Sequence, residues 1–134
     1  MDEKSLKQIR DLCEADRSIG LFYFFGSRAR GDGGENSDYD FAIYFDQEQA
    51  VNFSDKKLEL LGKLSKILKT DSIDLVVLNQ LVSSELKYMI IREGKLLFER
   101  EPLRLIAEVK IMNEYFDFRA IMIRHGLTKK AYDE

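Results

Sequence analysis

Two aspartates one residue apart, Asp38 and Asp40, stand at the head of an alternating apolar run that continues through Phe41, Ile43 and Phe45. In an extended strand, residues two apart project to the same face. The two carboxylates therefore point one way, while Tyr39, Phe41, Ile43 and Phe45 point the other. Neighbouring carboxylates repel, and both stay ionised only where a cation lies between them. Such hard oxygen donors suit Mg²⁺, which proteins usually hold through one or two carboxylates plus substrate phosphates. The segment just before supplies the complement. An apolar run, Leu21 to Phe25, ends in Gly26-Ser27, and Arg28 and Arg30 follow in a polar, Gly-rich stretch. Gly26 lets the backbone approach a ligand closely, and Ser27 adds a hydroxyl beside freed N–H groups. The arginines offer the fork geometry that matches phosphate oxygens. Residues 21 to 45 thus describe a strand, a tight turn and a second strand arranged for a nucleoside triphosphate and its metals.

A third acid stands further along, in Asp71-Ser72-Ile73-Asp74-Leu75-Val76-Val77-Leu78. This short, β-branched, continuous run reads as a buried central strand. A carboxylate inside such a strand is costly unless paired or coordinated. A salt bridge or a strand-end turn would also account for Asp74. Beside the Asp38/Asp40 pair, however, a third acid from a neighbouring strand is what a two-cation site needs. Asp71, at the mouth of the strand, reads as a turn residue.

The remaining chain must position these groups. Leu6, Ile9, Leu12 and Cys13 recur at helical spacing and predict a first amphipathic helix over 5–16. A second, over 54–69, carries Leu58, Leu61, Leu64, Ile67 and Leu68 on one face and lysines on a solvated one. Asn79-Gln80 opens a helix that runs to Glu93 and is capped by Gly94. A short edge strand follows over 95–98. Pro102, preorganised for a first turn, starts a last helix over about 102–125. Its apolar residues spread round more than one stripe, and Tyr115, Phe116 and Phe118 are too many aromatics for one buried face. Part of that helix is expected to meet a partner. The only histidine, His125, reads as a capping cation at its end. The order of elements predicts an α/β fold, a small mixed β-sheet backed by helices, in a single domain spanning 1–134.

Composition narrows the function. The 134 residues carry a net charge of −3, with a pI near 5.3. That balance lacks the basic footprint of a nucleic-acid binder. Cys13 is the single cysteine and reads as a small buried hydrophobe in a reducing, cytoplasmic setting. No run is long and apolar enough to suggest a signal peptide or a membrane span.

Gly26-Ser27, ten residues, then Asp38-Tyr39-Asp40 resembles the signature of the nucleotidyltransferase superfamily related to DNA polymerase beta. The wording Gly26-Ser27-Arg28-Ala29-Arg30-Gly31 and Ser37-Asp38-Tyr39-Asp40-Phe41 resembles its smallest branch, the minimal nucleotidyltransferases. Many of those are antitoxins encoded beside HEPN-domain toxins. The resemblance runs from the first strand to the region of Gly94 and is loose over the last helix. It implies a polymerase beta-like nucleotidyltransferase core without thumb or fingers, and Mg²⁺-dependent transfer of AMP from ATP to a hydroxyl. Two metal ions would be held by Asp38, Asp40 and Asp74, with Asp74 also serving as general base. Gly26 and Ser27 would grip the β- and γ-phosphates, with Arg28 and Arg30 adding charge. The implied acceptor is a tyrosine of a HEPN ribonuclease toxin, silenced by the added nucleotide. Two other readings stand beside this one: a non-catalytic antitoxin that binds through the last helix, and a small-molecule nucleotidyltransferase of the aminoglycoside type.

Overall fold

The computed structural model describes residues 1–34, 36–49 and 51–126. Helix α1 (Glu3–Ala15) leads into strand β1 (Ile19–Phe25), a short helix α2 (Gly26–Arg30) and strand β2 (Tyr39–Phe45). Helix α3 (Phe53–Leu68), strand β3 (Ile73–Val77), helix α4 (Ser84–Glu93), strand β4 (Lys95–Glu99) and helix α5 (Leu103–Arg124) follow. The sheet order is β3-β2-β1-β4. β1 runs antiparallel to both β2 and β4, while β2 and β3 are parallel. This is the mixed sheet that the sequence predicts, with α3 as the crossover that parallel pairing requires.

β1 is the continuous apolar run, and its position explains the pattern: all seven residues are buried, because helices cover both faces of the strand. On one face Phe22, Phe24, Phe41, Ile43 and Phe45 pack with Ile9 and Cys13 of α1 and Leu60 and Leu64 of α3. On the other, Leu21, Tyr23, Phe25 and Ala42 pack with Ile90 of α4 and Ala107 of α5. Buried Tyr23 donates its hydroxyl to Glu108 of α5, tying that helix to the centre of the sheet. Burial, then the neighbouring Glu108 carboxylate, push the Tyr23 phenol pKa well up. Side chains cap three helices: Asp2 accepts from Ser5 N–H at 2.7 Å, Asn52 from Asp55 N–H at 3.1 Å and Ser83 from Leu86 N–H at 3.1 Å.

Arg100 is a structural residue that periodicity does not reveal. Its Nε donates to the Ile19 carbonyl at 3.2 Å and its Nη2 to the Cys13 carbonyl at 3.0 Å, with its guanidinium 5.0 Å from the Phe98 ring centroid. A cation thus satisfies carbonyls left open where α1 ends.

Four expectations are revised. The stretch after Gly26 is not an open loop but begins as α2, closed by Gly31 at φ 82°. β3 lies at an edge of the sheet rather than in its centre, and its burial alternates. α4 begins at Ser84, because Asn79 is drawn instead into the sheet margin. Its side chain accepts from Phe45 N–H at 2.8 Å and donates to Phe45 C=O at 2.9 Å, continuing the pairing of β2 beyond the end of β3. Pro102 sits one position before α5 rather than in its first turn. Gly94 does end α4, with φ −69°. It is glycine because a Cβ there would stand 2.4 Å from the Ile90 carbonyl oxygen.

Candidate active site

The site lies where β1 ends and β2 and β3 begin. Register does the assembly: Asp40 pairs with Phe25 across the antiparallel ladder and with Asp74 across the parallel one. Gly26, the next residue after β1, is therefore brought against Asp40. A Cβ at Gly26 would stand 2.2 Å from Asp40 Oδ2, and the backbone there has φ +82°. Both facts require glycine. The expected collision between a side chain at this position and a bound phosphate is preceded by a nearer one, with the carboxylate itself.

Asp40 is half-buried, while Asp38 and Asp74 are exposed. Burial, then Asp74, then Asp38 raise the Asp40 carboxyl pKa above its ordinary value, and Arg30 opposes them. Asp40 therefore feels the charge of both other carboxylates. The premise about Asp74 changes, however. It is not a charge stranded inside a central strand, because the edge position leaves it in solvent. Asp71 is indeed a turn residue, accepting from Ser65 Oγ at 2.6 Å.

The segment between the glycine turn and the aspartates folds back as a clasp. The Ser27 carbonyl accepts from both Asp32 N–H and Gly33 N–H at 3.1 Å. A Cβ on Gly33 would meet Ser27 Oγ at 2.7 Å, so this glycine lets the strap lie on the serine. Arg28 donates from Nε to the Ser37 carbonyl at 2.6 Å and lays its guanidinium 4.2 Å from the Tyr39 ring centroid. Tyr39 packs against the α1/α3 side of the sheet, away from the side where Asp40 meets Gly26. The two arginines thus part company: Arg28 bridges the clasp, whereas Arg30 is exposed, pairs with Asp32 at 3.2 Å and is the one whose charge Asp40 feels. The roles of Gly33, Ser37 and Tyr39 escape a motif search that keeps only the glycine-serine and aspartate positions. Their traces in the sequence are the Gly33-Gly34 doublet and the Ser37 and Tyr39 that flank Asp38.

Among the described residues no group of three or more acidic, histidine or cysteine side chains is placed to hold a metal ion, so the expected three-ligand set of Asp38, Asp40 and Asp74 is not gathered. The donor set is instead partial and all-oxygen, with Asp40 given room by Gly26 and destabilised as an anion by burial and its acidic neighbours. That chemistry fits a magnesium ion completed by phosphate oxygens.

A family profile described as "Polymerase beta, Nucleotidyltransferase" matches residues 7–103. A protein adenylyltransferase MntA from Aphanizomenon flos-aquae (strain 2012/KM1/D3) is 36% identical over 88 residues. The match takes in 60% of this chain, and the chain spans only 57% of that relative's length. Among solved structures, a toxin-antitoxin crystallised with AMP-PNP superposes with a TM-score of 0.71 at 26% identity, over 92% of this chain and 98% of that one. A tri-AMPylated Shewanella oneidensis HEPN toxin in complex with an MNT antitoxin gives a TM-score of 0.66 at 23% identity, over 96% of this chain and 100% of that one, a likeness of fold.

Proposed function

Because the chain belongs to the polymerase beta nucleotidyltransferase family, we propose that it transfers AMP from ATP to a hydroxyl of a protein partner. The acceptor in this reading is a tyrosine of a HEPN-domain ribonuclease toxin, so that the chain acts as its antitoxin. The observation that carries the reading is the register that sets Asp40 between Gly26 and Asp74. A triphosphate would run along the start of α2, over Gly26 and Ser27, with Arg30 at its phosphates. Magnesium ions held by Asp38 and Asp40 would supply charge neutralisation for the triphosphate. The acceptor oxygen attacks the α-phosphorus, the bond to the β-phosphate oxygen breaks, and pyrophosphate leaves. Asp74, open to solvent, takes the hydroxyl proton. Arg28 contributes by holding the strap that carries Asp38. The single cysteine, Cys13, is free and buried, which suits a reducing, cytoplasmic setting.

The large exposed apolar residues of α5 favour a second reading, neutralisation of the toxin by contact alone. Incubation with ATP, Mg²⁺ and the HEPN-domain partner separates the two. The expected result is a partner heavier by AMP on a tyrosine, with Asp38→Asn or Asp40→Asn reducing transfer by about a hundredfold or more. Unchanged transfer in those variants overturns the catalytic reading. Full neutralisation by them, with no AMP on the partner, establishes the second.

A further inference from the structure

Most of the large apolar side chains that the fold leaves in solvent belong to one element. Leu105, Val109, Met112 and Phe116 of α5 are 70%, 40%, 36% and 51% exposed. They recur at i, i+4, i+7 and i+11, the spacing of a helix–helix seam. Phe118 and Ile121 add further exposed apolar surface on other sides of the helix. Among the described residues of α5 only Ala107 and Ile111 are buried, so nothing beyond Ile111 is fully covered by the domain. A groove of about 460 Å³ runs beside the start of the seam. Its rim carries Glu99, Glu101 and Glu108 against a single arginine, Arg104, which is itself paired to Glu99 at 3.0 Å and Glu108 at 3.2 Å.

We infer that this seam and its acidic groove form the docking surface for the toxin, which seats an apolar helix flanked by basic side chains along Leu105, Val109, Met112 and Phe116. The inference rests on the partner proposed above. Two observations select that occupant. The family profile ends at residue 103, where α5 begins, so the helix is not part of the general nucleotidyl-transfer core. A match over 92% of a 134-residue chain cannot leave out the whole of a 22-residue helix, so the toxin-antitoxin relative matches at least part of α5. The charge also agrees: a protein that cuts RNA needs basic side chains for phosphates, and the groove rim is acidic.

The test is calorimetric titration of the full chain with its HEPN-domain partner. Leu105→Ser/Val109→Ser/Met112→Ser is compared with Leu58→Ser, which alters an equally exposed leucine on α3. All four positions are exposed, so helical content and ATP binding should stay as in wild type. The expected result is on the order of a hundredfold weaker complex for the triple variant, no change for Leu58→Ser, and affinity that falls with added salt. Wild-type affinity in the triple variant overturns the inference. So does a wild-type chain that sediments alone as a dimer and becomes monomeric on the triple substitution, because a second copy then fills the seam. The transfer reading fails separately. A complex that forms through the seam but leaves no AMP on the partner removes the chemistry and keeps the docking. AMP on the partner without measurable binding at the seam does the reverse.

Discussion

At the scale of single residues, the site is built from conflicts that the fold makes tolerable. Asp40 is held near two other carboxylates and partly out of water, and each circumstance disfavours its charge. Gly26 gives up a side chain so that this carboxylate has room. In the proposed reaction the glycine thus makes room for the metal-holding acid as well as for phosphate. Gly26→Ala should strike both roles. At φ +82° an alanine is strained by about 1–2 kcal/mol, and its Cβ must displace the Asp40 carboxylate. The expected outcome is a lower melting temperature together with weaker Mn²⁺ binding, read by calorimetry without nucleotide. Gly31 also sits at φ +82° but has open space around its Cβ position. Gly31→Ala should therefore cost similar stability and leave Mn²⁺ binding alone. Equal Mn²⁺ affinity in Gly26→Ala and wild type would show that the carboxylate does not depend on this glycine.

At the scale of elements, side chains from distant positions fasten the ends of helices and strands. Asp16, just past α1, accepts from Lys56 of α3 at 2.6 Å and from Ser18 Oγ at 2.6 Å. Burial alone would raise its pKa, but the bonds from Lys56 and Ser18 outweigh burial and hold it below the ordinary carboxylate value. Its folded-state pKa is depressed, so its stabilisation is present above the unfolded value of 3.8 and is lost as the pH falls through the folded one. Asp40 has the opposite sign: its raised pKa makes the fold lose stability as the pH rises past the ordinary carboxylate range. Urea unfolding from pH 3 to pH 7 should therefore show a smaller gain in stability with pH for Asp16→Asn than for wild type. Asp40→Asn, without metal, should show a larger gain. Parallel pH profiles for all three proteins would mean that neither carboxylate is coupled to folding.

At the scale of the whole molecule, α5 serves two surfaces at once. Its first half closes the core: Ala107 joins the cluster of Leu21, Tyr23 and Ile90, and Glu108 receives the Tyr23 hydroxyl. On its other sides Leu105, Ile106, Val109, Met112, Phe116, Phe118 and Ile121 stay exposed. A chain cut after Glu101 is therefore a poor test of partner binding, because it uncovers Leu21 and Tyr23 as well as removing the seam. That chain should melt well below wild type, since burying one large side chain contributes about 1.5–3 kcal/mol. A chain cut after Glu114 keeps Ala107, Glu108, Ile111 and the Lys87–Glu114 pair at 2.8 Å, and should stay folded. Circular dichroism melts of the two truncations decide the matter. Equal melting temperatures would mean that α5 adds nothing to the core.

The sequence by itself determined the elements whose patterns are local. Continuous apolar residues gave β1, alternation gave β2, helical spacing gave α1 and α3, and Pro102 marked the start of α5. The Gly26-Ser27 and Asp38-x-Asp40 spacing marked the candidate site before any fold was known, because turn chemistry and strand period act over a few residues. The surplus of aromatics on the last helix likewise announced surface left over from one core. Only the tertiary structure decided the rest. Whether Val76 and Val77 lie in a central or an edge strand depends on which strands pair, and that choice left Asp74 in solvent. The burial of Asp40, the bridging of the clasp by Arg28, and the capture of α1 carbonyls by Arg100 each join residues through contacts that spacing does not encode. Packing and register between elements are long-range properties, so the sequence marks the participants while the fold assigns their partners.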